Sequence, residues 1–276
     1  LLHSQKALVR NDRPRGLVIA SPVPKSIVPP QCEKGRSNLG GELSQKEKVM
    51  NTSKLKAYQD LVSSRKECQL CDCLTNPSAI NGGIFDSNHI GPWSRWQGNL
   101  DSELMVIGQD WGDIKYFQDN KGYEKDDNPS NNMIRSLLAS IEVEIPQPSK
   151  SNETKNPIFL TNAILCLKKG GLSGSVKKRW FDNCGKNFLQ PLIEIIQPKV
   201  VVTLGKYAYE VICKLYGLPK VQFREAVIFQ KGGFFLTNDV RFFPVYHCSR
   251  LVINSKTRSI EEQKGDWQKV RKTLGK

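Results

Sequence analysis

The chain has 276 residues and carries 41 Lys and Arg against 27 Asp and Glu, a formal charge of +14. A chain of this length buries a core without covalent staples, and its basic excess points to an anionic partner, most simply nucleic acid. No apolar run approaches the roughly 18 to 20 residues that span a bilayer, and no apolar stretch follows the basic N-terminus, so neither a membrane-spanning helix nor a secretory leader is expected.

Residues 1–55 read as a basic, disordered arm, and residues 56–276 as one folded domain. The chain opens on Leu1 rather than Met, which leaves room for residues upstream. The arm is rich in Lys, Arg, Ser and Pro and shows no useful period. Its first 30 residues hold a single acid, Asp12, a composition shared by organelle transit segments and plain basic tails. Organelle targeting therefore stays open beside a cytoplasmic or nucleoid-associated place in a bacterial cell. The protein is expected to act as a monomer.

Beyond the arm, four short β-rich apolar runs stand out: LMVIG (104–108), PIFLTN (157–162), KVVVTLG (199–205) and RFFPVYH (241–247). Helical patterns alternate with them, over 131–141, 177–197 with Pro191 interrupting, 206–217 and 259–275. Strands separated by helices, with little polar alternation, predict a three-layer α/β/α fold around a central four-stranded parallel sheet. Ligands of such sheets sit outside the C-terminal strand ends. Those ends carry Gln109 and Asp110, Asn162, Gly205, and Tyr246 and His247, the last one of only three histidines. An acid or an amide alone is an ordinary turn residue. Three such ends together, one with a scarce His, predict a site.

Of eight cysteines, Cys213 falls in an apolar helical pattern and Cys32 lies in the arm. Cys68 and Cys71 form a C-x-x-C pair, with Cys73 close by; Cys166 and Cys184 follow far downstream. Four thiolates in two pairs suit tetrahedral zinc or a cubane iron–sulfur cluster; Cys73 is a surplus candidate that either replaces Cys71 as a ligand or is free. Between the later pair, KKGGLSGSVKKRW (168–180) reads as a basic loop facing nucleic-acid backbone. Trp93 and Trp96 read as packing residues.

Over residues 60–272 the chain resembles the uracil-DNA glycosylase superfamily, most closely its iron–sulfur-containing family 4 branch. The order of the four cysteines, FLTNAILC, QPKVVVTLG, YHCSRLVINSKTR and RSIEEQKGDWQKV carry the resemblance. Two places depart from it. GQDWG stands where family 4 has Gly-Glu-Ala-Pro-Gly, closer to the Gly-Gln-Asp-Pro-Tyr of family 1, and Cys248 replaces the proline of the His-Pro-Ser loop.

The resemblance implies an enzyme of base excision repair that hydrolyses the N-glycosidic bond of uracil, or a related deaminated base, in DNA. It implies Asp110 as the carboxylate that holds water against the sugar and His247 as the donor to the leaving base. Gln109 and Asn162 would line the base pocket, with Asn162 reading the Watson–Crick edge. The stacking aromatic falls among Tyr116, Phe117 and Tyr123, with Phe117 the candidate. Ser249, Arg250 and Arg258 would hold DNA phosphates, and Leu251 would wedge into the stack vacated by the flipped base. Cys68, Cys71, Cys166 and Cys184 would hold a structural [4Fe–4S] cluster, zinc being the second choice. Two other readings compete: a catalytically silent DNA-binding member of the same fold, and an unrelated zinc-stapled nucleotide-binding protein. The second lacks any G-x-G-x-x-G or Walker motif after a strand.

Overall fold

The computed structural model describes residues 39–91, 96–152, 155–170 and 174–275, with the side chains of 39–50 left aside. Residues 1–38 of the arm, Cys32, Trp93 and the centre of the basic loop (171–173) lie outside the described residues. One compact unit runs from Ser44 to Lys276.

In chain order the elements are α1 (Leu39–Glu67), β1 (Leu74–Thr75), β2 (Leu104–Gly108), α2 (Ile114–Asp119), α3 (Pro129–Ala139), β3 (Ile158–Asn162), β4 (Leu167–Lys168), α4 (Lys178–Cys184), α5 (Gln190–Ile196), β5 (Val200–Leu204), α6 (Lys206–Leu215), α7 (Phe223–Phe229), β6 (Phe234–Phe235), β7 (Arg241–Val245), α8 (Arg250–Asn254) and α9 (Ile260–Leu274). All four runs expected as strands are strands. They form the parallel part of a sheet of order β3-β2-β5-β7-β6, and the short β6 adds an antiparallel edge on β7. β1 and β4 form a separate antiparallel ribbon, Leu74 opposite Lys168 and Thr75 opposite Leu167.

Period-two alternation sends the side chains of β2 to opposite faces. Met105 and Ile107 join Phe159, Val201 and Phe242 on one side, packed by Trp180, Leu189, Ile193 and Ile212 from α4 to α6. Leu104 and Val106 join Leu160, Val202 and Val245 on the other, packed by Leu137, Leu138, Trp267 and Val270 from α3 and α9. Both faces are covered, which is why the strands are mostly apolar and the sheet can be parallel. The result is the three-layer α/β/α fold expected, with one more strand than the pattern indicated.

The helices end as their residues dictate. Asn128 caps α3 through its side chain, accepting from the Ser130 and Asn131 amides, with Pro129 at the first position. Ser259 and Glu262 form a reciprocal capping box at α9. A five-residue π turn, Gly185–Leu189, joins α4 to α5, so Pro191 opens a helix rather than breaking one. Helix α1 begins at Leu39, inside the stretch expected as arm. Its Glu, Lys and Gln favour helix without an apolar stripe, so propensity rather than periodicity marks it. Only near its C-terminal half do Tyr58 and Val62 reach the core.

Candidate active site

Three parallel strands, β2 and its neighbour β3 with β7 beyond β5, deliver the expected residues to one edge of the sheet. Gly108 and Asn162 are register partners at the ends of β2 and β3, and Gln109 and Asp110 follow Gly108 directly. A Cβ on Gly108 would stand 2.3 Å from Asn162 Oδ1, so only glycine lets the amide lie over the end of β2. Asn162 is buried, and its Oδ1 has no hydrogen-bond partner. An orphaned buried acceptor is costly unless a ligand supplies the donor.

Asp110 is held by two donors on a single oxygen. Gln109 Nε2 donates to Oδ2 at 2.6 Å and Lys168 Nζ donates to the same atom at 3.1 Å. The Lys168 and Asp110 side chains are 4% and 8% exposed, so this ion pair is almost dry. Immediately after Asp110, Trp111 fills a small cluster with Ile80, Phe117 and Leu167. Gly112 then turns the chain at φ 139°, a region L-residues avoid, and its carbonyl accepts from the Lys168 amide at 3.4 Å. The unusual Trp-Gly pair thus seats the loop and joins it to β4. Asp113 caps α2 by accepting from the Tyr116 amide at 2.8 Å.

His247 stands two residues beyond β7. The Ser249 amide donates to its Nδ1 at 3.1 Å, which leaves the proton of the neutral ring on Nε2. Burial pushes the imidazole pKa below its ordinary value, against the opposing pull of the Asp110 charge. The ring therefore stays a neutral Nε2–H donor to lower pH than free imidazole would. Cys248 is buried, donates to the Ser130 carbonyl at 3.5 Å and ties the His247 loop to the start of α3. Burial pushes its thiol up to about 12.

The other expected residues fall in varied places. Phe117 is wholly enclosed, its ring edge-on to Trp111 at 5.6 Å, whereas Tyr123 is exposed. Ser249 stands at the cap position of α8, Arg250 is exposed, and Leu251 is 78% exposed. Arg258 is engaged within the protein: Nε and Nη2 donate to the buried Asp266 at 3.0 and 2.8 Å, and Nη1 donates to Glu262 at 3.0 Å. Trp96 packs in the core and donates from Nε1 to the Pro146 carbonyl.

Cys68, Cys71, Cys166 and Cys184 all line one cavity of about 260 Å³, together with Arg65, Leu165 and Phe188. Cys73 is exposed, does not line it, and lies 3.7 Å from Lys177 Nζ. A hydrogen bond from Cys184 lowers the Cys71 thiol to about 6, while burial raises Cys166 to about 12. The C-x-x-C segment is clamped to α4: Trp180 Nε1 donates to the Asp72 carbonyl and Asn183 Nδ2 to the Leu70 carbonyl, and Lys177 and Arg179 pair with Asp72. Both ends of the basic loop are thus committed, Lys168 to Asp110 and Lys177 to Asp72. On the other side Arg65, 1% exposed, donates from Nη1 to both oxygens of Asp86 at 2.8 Å and from Nη2 to the carbonyls of Ser87 and His89 at 2.9 Å. Among the described residues, no three metal-binding side chains lie close enough together to enclose a single ion.

Two residues escaped the sequence reading. Lys168 looked like one more loop lysine. Glu124 lies in a stretch without period, yet its Oε2 accepts from Tyr116 Oη, Asn128 Nδ2 and Asn131 Nδ2 at 3.2, 3.0 and 2.9 Å, and burial raises its carboxyl from 4.5 to about 7. Below pH 4.5 the folded and unfolded states are both protonated. Between there and about 7 the folded state alone binds the proton, so stability falls as pH rises through this window. Glu124→Gln keeps a carbonyl acceptor and is expected to stabilise the protein by about 2 kcal/mol near pH 8, the side chain being only partly enclosed. It is expected to change little near pH 4.5, and thermal melts at the two pH values measure the difference.

The description "Uracil DNA glycosylase superfamily" fits residues 96–271, nearly two thirds of the chain, with all three strand ends inside. Among characterised relatives, a type-5 uracil-DNA glycosylase of Pyrobaculum aerophilum is 20% identical over 211 residues, covering 74% of this chain and 88% of that protein. Type-4 uracil-DNA glycosylases of Archaeoglobus fulgidus and Sulfurisphaera tokodaii are 21% and 24% identical, covering 80% and 79% of this chain and 96% and 83% of theirs. Sheet order, the converging strand ends and the match over residues 96–271 place this chain in the uracil-DNA glycosylase superfamily.

Proposed function

We propose that the protein removes uracil, or a closely related deaminated base, from DNA by hydrolysing its N-glycosidic bond. The observation that carries this reading is the convergence of a clamped carboxylate, an orphaned amide oxygen and a neutral Nε2–H imidazole at the ends of β2, β3 and β7. As the bond breaks, positive charge grows on the sugar and negative charge on the base. Asp110 offsets the first and orients the water that attacks C1′. His247 donates to the carbonyl oxygen of the departing base, a preorganised donor of a kind worth about 3 kcal/mol. Asn162 Oδ1 accepts from the ring N–H of uracil and its Nδ2 donates to O4, a pairing that cytosine cannot satisfy. The base reaches this pocket by flipping out of the helix. Leu251, exposed beside the His247 loop, fills the gap, with Ser249 and Arg250 on the phosphates. Phe117 is fully buried against Trp111, and Tyr123 is the exposed aromatic of the stretch 116–123.

Cys68, Cys71, Cys166 and Cys184 fit a [4Fe–4S] cluster. They line one cavity of about 260 Å³ together with Gln69, Leu74 and Phe188, and four thiolates in two pairs suit a cubane cluster. Bound there, the cluster would supply a rigid cross-link between the C-x-x-C segment, the end of β3 and α4, with no redox step required. Brown protein with iron and sulfide in equal amounts is expected; stoichiometric zinc instead would reject the cluster.

The test of function is base release from a uracil-containing oligonucleotide, read as strand breakage after alkali, with hypoxanthine and xanthine substrates alongside. Release of uracil supports the reading. Tight DNA binding with no base released identifies a silent member of the fold and sinks it.

A further inference from the structure

We infer that Lys168 is a positioning residue for Asp110, the counter-ion that, with Gln109, fixes one carboxylate oxygen and leaves the other to the attacking water. The inference rests on the proposed role of Asp110. Both clamping donors meet Oδ2, at 2.6 and 3.1 Å, and Oδ1 has no hydrogen-bond partner among the described residues. A carboxylate gripped on one side cannot rotate about its Cβ–Cγ bond, so Oδ1 keeps a fixed heading.

The lysine is itself fixed. Leu74 of β1 pairs with it on one side, Asp113 bridges it on the other, and its amide reaches the Gly112 carbonyl. The same turn that presents Asp110 therefore anchors its counter-ion, a rigid arrangement of the kind a precise site requires. Stability alone does not account for the pair. Burying two charges costs several kcal/mol each before their attraction is counted, and an apolar pair in their place is often as stable or more so. Placed beside the strand-end carboxylate, the cation instead fixes geometry, and an error of one ångström there slows chemistry about 100-fold.

The test is a double-mutant cycle on single-turnover excision, with DNA affinity and melting temperature measured for each protein. Lys168→Met is expected to slow excision about 100-fold with DNA affinity unchanged, and Lys168→Arg to recover most of the loss. In the Asp110→Asn background, Lys168→Met is expected to cost nothing further, because its effect passes through the carboxylate. Losses that multiply in the double variant would overturn the inference, as would a wild-type rate for Lys168→Met. A covalent DNA adduct through Lys168 on borohydride treatment would overturn it in favour of an amine nucleophile. If Lys168→Met fails to fold, Lys168→Gln runs the same cycle. A wild-type rate for Asp110→Asn alone rejects the role of Asp110 itself, whatever Lys168 does.

Discussion

Asp110→Asn is expected to slow base release by roughly 100- to 10,000-fold, the range that a positioned acid–base group contributes, while leaving DNA binding intact. The substitution keeps the shape and removes the charge. With it goes the negative field facing the developing cation on the sugar and the full acceptor strength that orders water. Gln109 and Lys168 would still find an amide oxygen, so the loop is expected to stay in place. Single-turnover excision, with enzyme in excess over a uracil oligonucleotide, isolates the chemical step. A rate within a few-fold of wild type would move the water-holding role to another residue. A melting curve is the needed control, because Lys168 then faces a neutral partner in a nearly dry pocket.

Arg65→Ala is expected to be the most damaging change away from the catalytic edge, destabilising the fold by about 3 to 5 kcal/mol, as breaking a buried ion pair does. Arg65 joins the end of α1 to residues 86–89 through four hydrogen bonds and lines the cysteine cavity. Its loss leaves the Asp86 carboxylate, itself only 2% exposed, without a counter-charge. Denaturant titration measures the cost. Removing both charges, in Arg65→Met with Asp86→Leu, is expected to cost less than Arg65→Ala alone. A double variant weaker than the single one would mean that the four bonds matter more than the buried charge.

What could be read from the chain divides along physical lines. Periodicity located β2, β3, β5 and β7 within a residue or two, because a strand buried on both faces must be apolar along its length. Strand direction then placed Asp110, Asn162 and His247 at one edge, since parallel strands end together. The two-residue strands β1, β4 and β6 carry too few residues to show any period, and hiding β4 hid Lys168. A lysine two positions past Cys166 in a glycine-rich basic run looks solvated. Its pairing with Leu74 and its bridge to Asp113, both distant in sequence, turn it inward. Arg258 is the converse case: Asp266, eight residues on and two helical turns along α9, engages it in a way charge counting cannot show. Trp111 and Gly112 resisted explanation in the sequence because their reasons, the cluster with Phe117 and Leu167 and the carbonyl offered to Lys168, are tertiary.

The ribbon of β1 and β4 also sets an order of events in folding. Two residue pairs contribute too little to hold Thr75 and Leu167 together against the entropy of the long chain between them. The ribbon is therefore expected to close only after the sheet has assembled from β2, β3 and β5 and brought its ends into reach. A newly made chain would possess its core, and even Asn162 in register with Gly108, before Lys168 swings in to lock the carboxylate. Catalytic competence would then be acquired late, separable in time from compactness.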